Sequence, residues 1–95
     1  MQLKRVVITG LGALTPLGNN LNDYWNNLVK GVSGANLITR FDASKFKTQF
    51  ACELKNFNVE DHIDRKEARR MDPYTHYALV VTKEAISDSE MNLDK

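Results

Sequence analysis

Ninety-five residues leave room for one small domain. A net charge of +1, with 26% charged and 42% hydrophobic residues, is the balance of an ordinary soluble globular chain and argues against disorder. No apolar run approaches the roughly 18 residues of a membrane span, and the polar, then strand-like N-terminus has no signal-peptide core, so the expectation is a cytoplasmic protein. The single Cys52 permits no internal disulfide. A chain of this size should bury only about two-thirds of its unfolded surface, which predicts modest stability.

Arg5 to Gly18, RVVITGLGALTPLG, organises the rest. Val6, Val7 and Ile8 form a β-branched run without polar alternation, the pattern of a strand covered on both faces. Thr9 and Gly10 end it. Gly10, Gly12 and Gly18 then permit tight turns, and Pro16 forbids a helix through Thr15. A dinucleotide-binding turn needs glycines at relative positions one, three and six, with a helix opening on the third. Here the third position is Thr15, beside Pro16, so the residues favour a plain turn out of a buried strand.

Asn20 caps the next helix, with Asp23 in its first turn, where a negative charge suits the dipole. Leu21, Tyr24, Trp25, Leu28 and Val29 make a wide apolar stripe, which places Trp25 in the core. Gly31 ends the helix as its C′ residue. Val32 to Lys47 is irregular, with turns at Ser33-Gly34 and Phe41–Ser44. Phe50 to Lys55 alternates, predicting a strand with Phe50, Cys52 and Leu54 on its buried face. A thiol so placed is expected to be structural and inert.

Glu60 to Met71 is charge-rich and reads as helical, with Asp64 and Glu67 spaced as a capping box. A further helix starts at Asp72, with Pro73 in its first position. Its apolar stripe is Tyr74, Tyr77, Ala78, Val81, Ala85 and Ile86, widened by Val80. Ser87 to Lys95 is a polar tail.

No catalytic constellation emerges. His62 and His76 have no metal-ligand spacing to each other or to Cys52, and both read as surface or helix-flank residues. A Cys52–His dyad would need an exposed, activated thiol. The residues indicate neither a cofactor nor a metal. The sharper signal is Arg65, Lys66, Arg69 and Arg70, which span an arc of about 140° at 100° per residue. Ala68 and Met71 fall on the opposite side. On pattern alone, this is a solvated face paired with Glu60, Asp61, Asp64 and Glu67. Nucleic acid is disfavoured, since the charge is balanced and no aromatic interleaves the basic residues.

The chain resembles the β-ketoacyl-acyl carrier protein synthases, the elongating condensing enzymes of fatty-acid synthesis, and among them the bacterial type II enzymes. RVVITGLGALTPLG carries the resemblance first. LNDYWNNLVKGVSG, ITRFD and FKTQFACELKNFNVEDHIDRKEARRMDPYTHYAL then follow in the family's order. The resemblance implies an α/β fold: residues 1–95 as the incomplete N-terminal part of the first half of a thiolase-like fold, layered α-β-α-β-α, with a mixed sheet. It implies an acyltransferase that condenses malonyl-carrier with an enzyme-bound acyl group. The family's nucleophilic Cys, two His and Lys would all lie downstream, so no catalytic residue is expected in this chain. Lys66, Arg69 and Arg70 match the family's carrier-docking positions. The implied partners are acyl carrier protein and, for the full-length family, a second copy in a homodimer; neither nucleic acid nor membrane is implied. The alternatives are a binding segment alone and a non-catalytic, polyketide-type relative. One departure is visible: Glu90 follows Ser89 where that family usually has glycine.

Overall fold

The computed structural model describes residues 2–94. Lys95, the last residue of the polar tail, lies outside them. In chain order the elements are α1 (Leu21–Val29), β1 (Asn36–Leu37), β2 (Phe50–Ala51), a 3₁₀ turn (Val59–Asp61), α2 (Arg65–Ala68) and α3 (Pro73–Ser89). The strands pair antiparallel, Asn36 opposite Ala51 and Leu37 opposite Phe50. This is a small mixed α/β arrangement.

Local codes build α1 as its sequence predicts. The Asn20 side chain accepts from the Asp23 amide at 2.8 Å. At the other end Gly31 has φ +72°, the Gly31 amide donates to Leu28 O at 3.1 Å and the Val32 amide donates to Asn27 O at 3.0 Å. These two bonds are a Schellman motif, and they satisfy carbonyls the helix cannot reach. The stripe, however, is only half used. Leu21, Tyr24 and Asn27 are half-buried, whereas Trp25 is 60% exposed and Leu28 and Val29 are exposed too. Trp25 is therefore not a core residue among the described residues, because no element packs over that side of α1.

The first predicted strand forms no ladder. Val6, Val7 and Ile8 are 90%, 61% and 82% exposed and carry no strand assignment. A strand buried on both faces needs neighbours on each edge and layers above and below. Among the described residues the two-stranded ladder pairs β1 with β2, elsewhere in the chain. The glycines after it serve a purpose other than turning. Gly10 and Gly12 do not have positive φ. Instead the segment runs against α3: a Cβ on Gly10 would stand 2.2 Å from the Ala85 carbonyl oxygen.

Two carboxylates of α3 seal that contact. Glu84 Oε1 accepts from the Ala13 amide at 2.8 Å, and its Oε2 accepts from the Leu21 amide at 3.0 Å. Asp88 Oδ2 accepts from the Leu11 amide at 3.0 Å. Amides that a phosphate would need thus face fixed negative charge. This is a physical reason, independent of glycine spacing, against a dinucleotide cradle.

The predicted strand from Phe50 to Lys55 shortens to two residues, and polar side chains take over where the ladder stops. The Glu53 carboxylate accepts from the Thr39 and Arg40 amides at 3.0 and 3.3 Å. These bonds hold the Glu53 carboxyl below its usual range. Lys55 Nζ donates to Pro16 O at 3.1 Å and to Gly34 O at 2.9 Å, tying three loops together. Phe50 and Cys52 are exposed. The expectation of a buried Cys52 is corrected: alternation puts Phe50 and Cys52 in phase, but among the described residues nothing covers the face they share.

The charge-rich segment is also broken into pieces. The 3₁₀ turn, capped by Asn58, comes first, and α2 is only four residues long. Asp64 occupies the cap position, yet its side chain makes no capping bond, so the expected capping box is not formed. In α3 the covered side runs through Tyr77, Val80, Val81, Glu84 and Ala85, while Tyr74 and Ala78 of the predicted stripe are exposed. The helix ends at Ser89, and Glu90 itself adopts the left-handed conformation, φ 58° and ψ 24°.

Buried apolar residues are few: Ala43, Ile63, Ala68 and Val80. The radius of gyration is 17.2 Å, against about 13 Å for a compact domain of 100 residues. The accessible surface is 8198 Å², against roughly 5,500 Å² for a compact monomer of this mass.

Candidate partner-binding surface

The basic residues sit on the short segment between the 3₁₀ turn and α3. Two buried residues anchor it, Ile63 ahead of α2 and Ala68 at its end. Ile63 also donates its amide to Val59 O at 2.9 Å. Around this anchor Phe57 stacks on His62, with centroids 5.6 Å apart, and meets Tyr77 edge-on at 5.7 Å. Lys83 Nζ on α3 donates to the His62 carbonyl at 3.0 Å. Arg40 Nη2 donates to the Tyr77 hydroxyl at 2.8 Å.

On this base Arg65, Lys66, Arg69 and Arg70 are all exposed, as the arc predicts, with Ala68 inward. The pairing expected for a solvated, salt-bridged face is mostly missing. Arg65 Nε lies 3.7 Å from Glu60 Oε1. Among the described residues Lys66, Arg69 and Arg70 have no carboxylate partner. Three adjacent cations without internal partners keep their field for an incoming molecule.

His76 plays a part that its sequence position hides. It is half-buried on the first turn of α3, and its Nε2 donates to the Ala68 carbonyl at 2.8 Å. The bond fixes the tautomer, since a carbonyl oxygen can only accept. No pattern within the sequence marks this contact, because it joins two separate helices.

The other candidates bring no chemistry together. A cavity of about 650 Å³ is lined by Leu11, Leu21, Asn22, Trp25, Glu84, Ser87 and Asp88. Its two carboxylates already serve backbone amides. Among the described residues no group of three or more His, Cys, Asp or Glu side chains could hold a metal ion. Nor is any described helix long and apolar enough to cross a membrane.

Comparison with known proteins gives a consistent picture. The 3-oxoacyl-[acyl-carrier-protein] synthase 2 of Staphylococcus aureus (strain COL) is 53% identical over 94 residues, covering 99% of this chain and 23% of that protein. The protein of the same name from Synechocystis sp. is 46% identical over 95 residues, covering 100% of this chain and 23% of the relative. The chain thus spans about a quarter of the length of these curated relatives. Among solved structures, the ishigamide ketosynthase/chain length factor superposes with a TM-score of 0.79 at 31% identity, covering 93% of this chain and 22% of that one. Residues 3–95 match the sequence profile of the β-ketoacyl synthase N-terminal domain. The 95 residues therefore belong to the β-ketoacyl synthase family.

Proposed function

We propose that the protein works as a 3-oxoacyl-[acyl carrier protein] synthase of fatty-acid biosynthesis. Residues 1–95 would form the N-terminal part of the first thiolase-like half, within the layered α-β-α-β-α fold. The reaction joins an enzyme-bound acyl group to malonyl-carrier: loss of CO₂ leaves a carbanion that attacks the acyl thioester, forming a carbon–carbon bond and releasing the enzyme thiol. The family's Cys nucleophile and its two His and Lys correspond to no residue of this chain. The 53% identity to the Staphylococcus aureus synthase 2, against 31% to the ketosynthase/chain length factor, favours the elongating enzyme over a polyketide-type relative.

These residues would contribute the landing surface for an acidic acyl carrier protein. One observation carries this reading: Lys66, Arg69 and Arg70 are exposed together and lack acidic partners among the described residues. Charges so placed steer encounter and set orientation more than they add affinity. They are screened beyond about 8 Å at physiological salt.

The test is Arg69→Glu with Arg70→Glu in the full-length protein, titrated with acyl carrier protein at low and high salt. Each exposed pair is worth about 0.2–1 kcal/mol, so the double variant should bind roughly two- to thirtyfold more weakly at low salt. The loss should fall mainly in association rate and shrink as salt rises. Equal affinities at low salt would return these residues to an ordinary solvated face.

A further inference from the structure

We propose that His76 is a positioning residue for this docking surface: it clasps the end of α2 so that Arg69 and Arg70 are presented in a fixed orientation. The inference rests on the docking reading just given and adds to it a residue that carries no surface charge pattern of its own.

The physical problem is the shortness of α2. Four residues make a single turn, and a turn of that length is far below what holds itself in water. Its N-terminal cap is unmade, since Asp64 forms no side-chain bond. Arg69 and Arg70 follow directly, held by local bonds from the Arg69 amide to Arg65 O at 3.2 Å and from the Arg70 amide to Glu67 O at 3.1 Å. Such bonds fix the turn's internal shape but not its direction.

Direction comes from Ala68. Its side chain is buried, and its carbonyl receives two donors, the Met71 amide at 3.2 Å and His76 Nε2 at 2.8 Å. The His76 bond is the shorter, and it starts from a 17-residue helix. The ring lies half-buried between that helix and the turn, where an unmade bond would leave a polar atom poorly solvated. The carbonyl it grips belongs to the residue immediately before Arg69. Release of that carbonyl would let the two guanidinium groups swing together, keeping their charge while losing their common aim.

The experiment compares His76→Leu, which keeps bulk without a donor, with His76→Gln, which keeps an N–H donor, both in the full-length protein. With carrier-bound substrate, His76→Leu should raise KM three- to tenfold with kcat nearly unchanged. A carrier-free thioester mimic should be turned over as by wild type, and His76→Gln should recover most of the loss. The Arg69→Glu/Arg70→Glu change should also weaken carrier binding less in the His76→Leu background than in wild type, because misdirected charges have less to lose. Amide hydrogen exchange supplies a readout independent of activity: the Arg69 and Arg70 amides should exchange faster in His76→Leu while the middle of α3 stays protected.

Unchanged KM and unchanged exchange at Arg69 and Arg70 would overturn the proposal, even if the arginine variant alone weakens binding. Fully additive effects of the two changes would overturn it as well. If the arginine variant binds carrier like wild type, the docking reading itself fails. If His76→Leu loses activity on the mimic and protection throughout α3, His76 is merely structural, and the proposal falls.

Discussion

Gly12 and Val81 meet backbone to backbone: a Cβ on Gly12 would stand 2.1 Å from the Val81 carbonyl oxygen. No side-chain rotation relieves such an approach, because both partners are main chain. Glycine is required here by proximity and not by a left-handed φ.

Gly12→Ala should therefore push the segment off α3 and destabilise the protein by about 1–3 kcal/mol, the usual range for overpacking. Chemical denaturation would read the loss as a lower midpoint with an unchanged slope. The Ala13 amide, which donates to Glu84, should lose exchange protection at the same time. Wild-type stability in the variant would mean that the segment can shift freely.

Glu84 is the complementary test, because one carboxylate bridges two elements. Its second oxygen bonds the first amide of α1, where the helix dipole also favours negative charge. Glu84→Ala should cost about 1.5–3 kcal/mol, as expected for hydrogen bonds to a charged group. Glu84→Gln retains one acceptor and should cost about half as much. Wild-type stability in Glu84→Gln beside a loss in Glu84→Ala would show that packing of the side chain matters and its second acceptor oxygen does not.

Glu90 offers a gain. It adopts a left-handed backbone at φ 58°, which costs a residue with a Cβ roughly 1–2 kcal/mol. Glu90→Gly should recover up to about 1 kcal/mol after the extra freedom of glycine in the unfolded chain is deducted. A thermal melt should rise by about 4–8 °C per kcal/mol for a domain of this size. A lower midpoint would mean that the Glu90 side chain makes a compensating interaction.

Features coded within one turn of backbone were legible in the sequence. Asn20 as a cap and Gly31 as a left-handed C′ residue depend only on neighbours up to five positions away. The outward arc of Arg65, Lys66, Arg69 and Arg70 was legible for a similar reason, since Ala68 fixes which side is in. Features set by what lies opposite were not. The alternation at Phe50–Leu54 shows that Phe50 and Cys52 share a face but cannot show that the face is uncovered. The stripe containing Trp25 fails in the same way. The roles of Gly10, Gly12, Glu84 and His76 lie in contacts between distant segments. A polar residue such as Glu84 in an apolar stripe reads as a flaw until its two amide donors are seen.

Val6 to Ile8 bears on how the 95 residues behave when concentrated. A β-branched run with no charge within it and no ladder partner is a template for strand addition by a further molecule. Copies stacking through this run would present like side chains at each step, the geometry that seeds cross-β fibrils. Lys4 and Arg5 immediately ahead of it act as gatekeepers, since their like charges repel in a growing stack. Solubility of the isolated segment is thus tied to those two cations, and it should fall as salt screens them.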